Sequence, residues 1–355
     1  MTWGGKVYFG SVDGYLYALY AATGKPVAGF PKYLGSEVLH SSPVVGNGTV
    51  YVATAGNDRA LYAFNASTGN EIAGFPIFFG GPIYAPLTLY GGNIYVSSNE
   101  GKVYAFSATT GAPISGYPVN TDSGGIPNYQ FGGAVSAAQN RIFVGSWVDC
   151  KMRAFDALTG AAIPGYPPSP QGCIESTPAI AGGRVFYSAS AAYLHGLRLD
   201  RGTPLSGFPL TVVNYVVRSS PALGSGHLIV GTVDNRVHSY NPVGGALQWK
   251  TVVDSAVNAS PVIANGVVFV NSSSSLYALD LSTGAPLWQY PIDTSDYASP
   301  VAADGIIFLD STDGYLYAFS INGSAPARRL AGGELGICPA LSSLKPDLSL
   351  KPSRN

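Results

Sequence analysis

Eight positions of this 355-residue sequence carry side chains that differ from one another although the sequence around them repeats. Each position lies three residues before a recurring proline that follows a small residue, or before the alanine that replaces that proline in one copy. The positions are His40, Ile83, Phe131, Glu175, Arg218, Asn258, Tyr297 and Gly336. Because a purely structural position tends to repeat and a ligand site does not, this variety marks the main candidates for chemistry.

The candidate site built on these positions has seven members that offer cationic, anionic, amide and aromatic groups. They are His40, Tyr84 (next to Ile83), Phe131, Glu175, Arg218, Asn258 and Tyr297. We expect them to bind a small polar or anionic ligand, with the Arg218 guanidinium as a two-pronged donor. In a catalytic site, His40 or Glu175 would be the acid or base. The alternative is that these side chains bond only to solvent or to loop backbone.

The elements that must position these residues come from one repeated cassette. In the first copy, an alternating strand at Val7–Gly10 is followed by a turn at Asp13–Gly14, a second strand at Leu16–Leu19 and a turn ending at Gly24. Asp-Gly is a preferred hairpin turn, and alternation with period two predicts strands. The last glycine recurs at Gly24, Gly69, Gly111, Gly160, Gly202, Gly245, Gly284 and Gly323. Since each copy is too short to form its own core, the copies must pack against one another.

Four short strands in each copy of about 40 residues predict one blade of a β-propeller. The recurring prolines suit the innermost strand, which is a sheet edge. The sequence therefore predicts an all-β fold, an eight-bladed propeller of four-stranded antiparallel blades. The chain is expected to begin at a second strand, so residues 338–341 would complete blade 1 and close the ring. Residues 1–341 would form one domain and 342–355 an extended tail.

Composition agrees with this fold and excludes several classes of function. Only 11% of the residues are charged, whereas 46% are hydrophobic and Gly and Tyr are abundant. This composition argues against disorder and favours strands over helical bundles. A net charge of −1 lacks the basic excess expected of a protein that binds nucleic acid. The sequence also has no apolar run long enough to span a membrane and no evident signal segment.

The cassette resembles the repeat of pyrroloquinoline-quinone (PQQ)-type propellers. The clearest copy is Leu276-Tyr277-Ala278-Leu279-Asp280, followed by Thr283-Gly284 and Pro286-Leu287-Trp288. The resemblance extends from residue 5 to about residue 341. It implies one of two outcomes, a quinone-dependent dehydrogenase that holds PQQ with Ca²⁺, or a cofactor-free propeller similar to the periplasmic outer-membrane assembly lipoprotein BamB.

The sequence departs from the dehydrogenase pattern. Those enzymes carry an adjacent cysteine pair over the cofactor, whereas Cys150, Cys173 and Cys338 are far apart. Only Trp249 and Trp288 match their outer-strand tryptophans. We therefore expect a non-catalytic, monomeric, extracytoplasmic binding or scaffold protein without a cofactor, which holds a protein, glycan or small polar molecule on its loop face. A PQQ-dependent dehydrogenase, or a hydrolase or lyase that uses the same site, is the alternative.

The remaining reactive residues have simpler explanations. Cys150 and Cys173 both fall on the predicted loop face, where a disulfide and two free thiols are alternatives. His227 is expected to be solvated in a turn, and His195 and His238 are expected to pack away from the channel. Turn chemistry is sufficient for the hairpin acids Asp13, Asp149, Asp234 and Asp313.

Overall fold

The computed structural model describes residues 1–38, 41–121, 134–166, 172–190, 192–212, 218–294, 298–321 and 328–331. All regular elements in these residues are β-strands, which form eight antiparallel sheets. Each sheet consists of strands that are consecutive in the sequence, and the first strands of successive sheets lie side by side. The predicted eight-bladed β-propeller is confirmed. None of the described segments forms a helix long and apolar enough to cross a membrane.

The strands of the eight blades occupy four equivalent positions. The innermost strands are Thr2–Trp3, Val44–Gly46, Thr88–Tyr90, Ser136–Ala138, Ala179–Ala181, Ala222–Gly224, Val262–Ala264 and Val301–Ala303. The second strands are Lys6–Gly10, Thr49–Ala53, Asn93–Ser98, Arg141–Gly145, Arg184–Ala189, His227–Thr232, Val267–Ser272 and Ile306–Asp310. The third strands are Tyr15–Tyr20, Ala60–Asn65, Lys102–Ser107, Met152–Asp156, Tyr193–Arg198, Arg236–Tyr240, Ser275–Asp280 and Tyr315–Ser320. The described fourth strands are Lys32–Tyr33, Ile77–Phe78, Val119–Asn120, Leu210–Thr211, Leu247–Val252, Pro286–Pro291 and Arg328–Ala331.

Alternation along each strand places one set of side chains between neighbouring blades. In blade 1, Leu16 and Ala18 are buried, whereas Tyr15 and Tyr17 on the opposite side of the strand are half-buried. Leu16 belongs to a cluster that also contains Val50 of blade 2. The core is therefore a series of clusters between blades, as expected for a structure built from repeats.

The small residue before the inner proline has a defined role in blades 5 to 8. Its hydroxyl accepts a hydrogen bond from the backbone N–H at the same position of the preceding blade. These bonds run from Ala134 to Thr177 (3.0 Å), from Thr177 to Ser220 (2.9 Å), from Ser220 to Ser260 (3.1 Å) and from Ser260 to Ser299 (2.9 Å). The motif therefore supplies a polar link around the channel, since the inner strands are edges without a ladder partner on that side.

A backbone carbonyl just after the third strand accepts a hydrogen bond from the preceding blade. At the first three junctions the donor is a buried tyrosine of the second strand. The pairs are Tyr8 with Ala66 (2.6 Å), Tyr51 with Ala108 (2.6 Å) and Tyr95 with Ala157 (2.7 Å). Because buried polar groups require partners, each of these bonds fixes one blade against the next.

Later junctions supply other donors to the same carbonyl position. Phe143 occupies the tyrosine position of blade 4, and Arg141 donates instead to the Leu199 oxygen at 2.7 Å. In blade 6, the Trp249 indole N–H donates to the Leu281 oxygen at 2.8 Å. The acceptor at these junctions is always the backbone carbonyl at this position, whereas the side chain that donates to it differs from blade to blade.

The fourth strands follow two patterns. In blades 1, 2, 3 and 5 a Gly-aromatic-Pro segment precedes a strand of two residues. Gly116 of blade 3 has a φ of +88°, and a Cβ there would overlap the carbonyl oxygen of Thr159 in the turn of blade 4. In blades 6 and 7 the strands have six residues, and the Trp249 ring lies over the turn glycine Gly284. Both patterns place the outer strand against the same turn of the next blade.

The first blade differs from the sequence prediction. The chain does not begin at a second strand, because Thr2–Trp3 pairs with the start of Lys6–Gly10 and forms the innermost strand of blade 1. Residues 338–341, which were expected at that position, lie outside the described residues, as does the tail. Phe308 of blade 8 packs in one cluster with Val7 of blade 1, so the last blade meets the first.

Candidate functional site

Four of the seven predicted site residues fall within the described residues. They lie in the connections that enter the innermost strands: Tyr84 leads into blade 3, Glu175 into blade 5, Arg218 into blade 6 and Asn258 into blade 7. These connections share one face of the ring, and we call their inner rim the channel mouth. The predicted positions outside the described residues are His40, Phe131, Tyr297 and Gly336.

Buried aliphatic residues hold the described members in place. Ile83 precedes Tyr84, Ile174 precedes Glu175 and Val257 precedes Asn258, and each of the three aliphatic side chains is fully buried. Room for them comes from small residues on the second strands, because a Cβ on Gly145 would overlap Ile174 and one on Gly231 would overlap Val257. The polar side chains of the mouth are therefore carried on firmly packed backbone.

Glu175 and Arg218 form the charged contact of the mouth. The Nε atom of Arg218 lies 3.4 Å from Oε2 of Glu175, and the side chains keep 41% and 19% of their surfaces exposed, respectively. Burial raises the pKa of the Glu175 carboxyl, and the neighbouring guanidinium offsets only part of this effect. Burial therefore disfavours the ionised form of the Glu175 carboxyl, whereas the Arg218 guanidinium still faces solvent.

Asn258 contributes an amide that is not fully satisfied by the protein. Its side chain is 8% exposed, and its Oδ1 atom has no hydrogen-bond donor within the described part of the chain. Ser255 lies three residues earlier in the same connection, and its buried Oγ atom also has no hydrogen-bond partner in the described part of the chain. Because buried polar atoms without partners are rare, these are groups that a bound molecule would satisfy.

The channel wall has a different chemistry from the mouth. No charged residue occurs in the described innermost strands, and strands such as Ala179–Ala181 and Val262–Ala264 are entirely apolar. The Glu175–Arg218 pair belongs to the connections above this wall. A polar or charged ligand is therefore expected to be held at the mouth rather than inside the channel.

A disulfide anchors the connection that carries Glu175. Cys150 of the blade 4 hairpin is bonded to Cys173, with Cα atoms 3.9 Å apart. Cys150 has a φ of +58°, which is uncommon for a residue with a side chain. On the other side, the backbone N–H of Cys173 donates to the Ser190 hydroxyl at 2.9 Å. Glu175 therefore lies two residues from a covalent link between blade 4 and the connection into blade 5.

The hairpin acids are engaged in their own turns. Asp13 accepts a hydrogen bond from the Tyr17 hydroxyl at 2.7 Å, and Asp149 pairs with Arg153. The equivalent pairs are Asp234 with Arg236 and Asp313 with Tyr317. Across the described ranges, no group of three His, Cys, Asp or Glu residues is placed to hold a metal ion. Turn chemistry accounts for these acids, as predicted.

The histidines differ partly from expectation. His195 is buried and stacks on Tyr187 with ring centroids 4.8 Å apart, which confirms a packing role. His238 is also buried, and burial lowers its pKa to about 4. The prediction for His227 is wrong, because it begins a strand and its Nδ1 atom lies 2.8 Å from the Ser239 hydroxyl.

Sequence reasoning missed the role of Asp254. The hairpin of blade 7 contains serines and no acid, and Asp254 from the preceding connection takes the place of one. Its carboxylate accepts hydrogen bonds from Ser272 and Ser275, both at 2.5 Å, and from Gln289 at 3.1 Å. The available signal was the serine run at a position where other copies have Asp or Glu.

These observations define the class of the protein as an eight-bladed propeller with PQQ-type repeats and a polar mouth on one face. The family described as outer membrane protein assembly factor BamB matches residues 2–72 and 79–329. The match covers most of the sequence, so the chain belongs to this family.

Similar solved structures support the fold. BamB from Moraxella catarrhalis is 16% identical, with a TM-score of 0.72 and coverage of 90% of this chain and 94% of that chain. The computationally designed protein Ika8 is 14% identical, with a TM-score of 0.65 and coverage of 80% of this chain and 84% of that chain. No match was found among the curated proteins.

Proposed function

We propose that this protein is a non-catalytic, extracytoplasmic scaffold that holds a partner or a small polar ligand at the channel mouth. Two observations carry this proposal: the half-buried Glu175–Arg218 pair, and Asn258 of the next connection, whose buried Oδ1 lacks a donor in the described structure. The family supports a scaffold, since its description names assembly of outer membrane proteins. The bond between Cys150 and Cys173 suits an oxidising compartment.

The mouth favours ligands that offer both acceptors and donors. Arg218 provides a planar cation for a carboxylate, phosphate or carbonyl group, and Asn258 Oδ1 provides an acceptor for a hydroxyl or amide. Protonated Glu175, which burial favours, would donate a hydrogen bond as well. A single protein loop, a glycan or a small anion would present such groups, and the scaffold is proposed to act as a monomer.

A PQQ-dependent dehydrogenase is the second candidate because the repeat belongs to PQQ-type propellers. The residues of the described mouth do not fit that cofactor. Ca²⁺ requires several converging oxygen ligands, whereas Glu175 is the one carboxylate described at the mouth and it faces Arg218. The cysteine pair expected over the quinone is also replaced by a link between Cys150 and Cys173, far apart in sequence. Added PQQ with Ca²⁺ should therefore give neither a bound-quinone absorbance nor dye reduction.

A ligand screen with matched variants tests the mouth. We expect thermal-shift measurements against carboxylates, inorganic phosphate and oligosaccharides to give at least one binder, whose affinity calorimetry then quantifies. Arg218→Ala should weaken that binding at least about tenfold, the usual size of a lost charged hydrogen bond. The control Arg201→Ala alters an exposed arginine in a turn on the opposite face and should leave affinity unchanged. Equal affinity in wild type and Arg218→Ala for every binder would contradict the proposal.

A further inference from the structure

The face of the ring that carries the channel mouth also contains a groove, which lies away from the mouth. It lies between the blade 1 hairpin, the connection from blade 1 to blade 2 and the blade 2 hairpin, and its volume is about 380 Å³. Its lining includes Val12, Asp13, Tyr33 and Glu37, together with the glycines Gly14 and Gly35. We call it the blade 1–2 groove.

The corresponding space between blades 2 and 3 is filled by the protein itself. There Gly80 and Gly81 occupy the positions of Gly35 and Ser36, and the Glu100 side chain lies over them, accepting the Gly81 N–H at 2.9 Å. A Cβ on Gly80 would lie 2.9 Å from the Glu100 carboxylate. The equivalent acid of the blade 2 hairpin, Asp58, has a shorter side chain, and its Oδ2 atom would lie 3.9 Å from a Cβ on Gly35. The fold thus closes this space at one junction and leaves it open at the other.

The charges of the blade 1–2 groove favour a cation. Asp13 and Glu37 line it, and no Lys or Arg is among its lining residues. Asp13 is held by the Tyr15 N–H and the Tyr17 hydroxyl, so its carboxylate is fixed in orientation. Glu37 is exposed, and its carboxylate makes no hydrogen bond with any other described residue. An incoming cation would therefore meet a fixed negative charge and an available carboxylate.

Exposed apolar side chains form the rim of the groove. Tyr33 is 65% exposed and Val12 is 69% exposed. The Tyr33 ring is supported from within the blade by Tyr15, with ring centroids 5.1 Å apart. An exposed, buttressed aromatic face beside a carboxylate suits a guanidinium, which stacks on the ring and donates to the acid at the same time.

We propose that the blade 1–2 groove binds an arginine side chain of a partner protein, next to an apolar residue of the same segment. The guanidinium stacks on Tyr33 and donates two parallel hydrogen bonds to Glu37, while the apolar neighbour rests on Val12. Arginine is favoured over a metal ion because the groove is open and one of its walls is aromatic. This surface is separate from the mouth and uses neither Glu175 nor Arg218.

Calorimetric titration with the peptide acetyl-Gly-Leu-Arg-Gly-amide tests this inference. We expect saturable binding that weakens at least tenfold when citrulline, which has the same shape without the charge, replaces the arginine. Tyr33→Ser and Glu37→Gln should each weaken binding at least tenfold. Both residues are exposed, so the variants are expected to fold, and circular dichroism checks this. No saturable binding, or equal binding of the citrulline peptide, would overturn the proposal.

Matched controls separate the groove from general surface effects. Phe78→Ser changes a residue that is 66% exposed and occupies the strand position of Tyr33 in blade 2, outside the groove. Glu71→Gln removes an exposed acid elsewhere. Both variants should bind the peptide as the wild type does. Binding that is kept in both Tyr33→Ser and Glu37→Gln would place the arginine site elsewhere and refute the groove.

Discussion

The junction between blades 3 and 4 and the junction between blades 6 and 7 join equivalent surfaces with different residues. At the first, the Tyr95 hydroxyl donates to the Ala157 carbonyl. Gly116, which has no side chain, packs its backbone directly against the turn of blade 4. At the second, Trp249 alone does both, because its indole N–H reaches Leu281 and its ring covers the turn. The acceptors and the turns are backbone features, so the side chains that meet them are free to change.

Of the changes considered, removal of the Trp249 indole should lower the free energy of unfolding the most. Trp249→Ala deletes both the packing and the hydrogen bond at its junction, so we expect a loss of about 3–5 kcal/mol in the free energy of unfolding. Urea denaturation followed by circular dichroism measures it. Leu247→Ala, on the same strand but 51% exposed, should cost less than about 0.5 kcal/mol. Similar losses in the two variants would show that the junction does not depend on the indole.

Loss of the disulfide between blade 4 and the connection into blade 5 should have the next largest effect on the free energy of unfolding. Replacing Cys150 and Cys173 by serine should lower the free energy of unfolding by about 3 kcal/mol, the value expected for closing a loop of this length. A dithiol reductant should produce a similar loss in the wild type and none in the double variant. Mass spectrometry without reduction should find the wild type two hydrogens lighter than after reduction. An unchanged mass would show that both thiols are free.

The close approach of backbone at the junction of blades 3 and 4 predicts a smaller loss. Gly116→Ala places a Cβ against the Thr159 carbonyl, so the outer strand must shift, at a cost of about 2–3 kcal/mol. Gly92→Ala is the matched control, because it has a similar positive φ and open space around it. It should cost about 1 kcal/mol from backbone strain alone. If the two variants lose the same stability, the contact between the blades contributes nothing.

The tyrosine hydroxyls should give the smallest effect. Tyr95→Phe removes the closer donor to the buried Ala157 carbonyl and leaves only the Tyr117 hydroxyl at 3.4 Å, so it should cost about 1–2 kcal/mol. Tyr187→Phe removes a hydroxyl that is buried and has no partner among the described residues, so it should cost nothing or stabilise slightly. Thermal unfolding of both variants provides the test. A destabilised Tyr187→Phe together with a neutral Tyr95→Phe would reverse the argument.

Local patterns in the sequence were sufficient to predict eight blades. Alternation, Asp-Gly hairpins and recurring turn glycines depend on a few neighbouring residues, so they are visible without a structure. The innermost strand of blade 1 was missed because Thr2–Trp3 carries neither a proline nor a recognisable pattern. Its identity follows only from its pairing with the second strand.

The candidate site was less predictable because its contacts join different repeats. The variation among Ile83, Glu175, Arg218 and Asn258 predicted a site at the mouth, but the Glu175–Arg218 contact depends on how two connections meet. The blade 1–2 groove gave no sequence signal, since Asp58 stands where Glu100 stands in the next blade but lies farther from the glycine of the connection. How far an acid reaches is visible only once neighbouring repeats can be compared in space.

The hydroxyl links around the channel have a consequence for how such a ring can evolve. Thr177, Ser220 and Ser260 each accept one hydrogen bond through the side chain and donate one through the backbone N–H of the same residue. Among these copies, one gained by duplication or lost by deletion therefore brings or removes one acceptor and one donor together. The links on either side of such a copy can still form, so a change of one whole copy there leaves neither group unmatched.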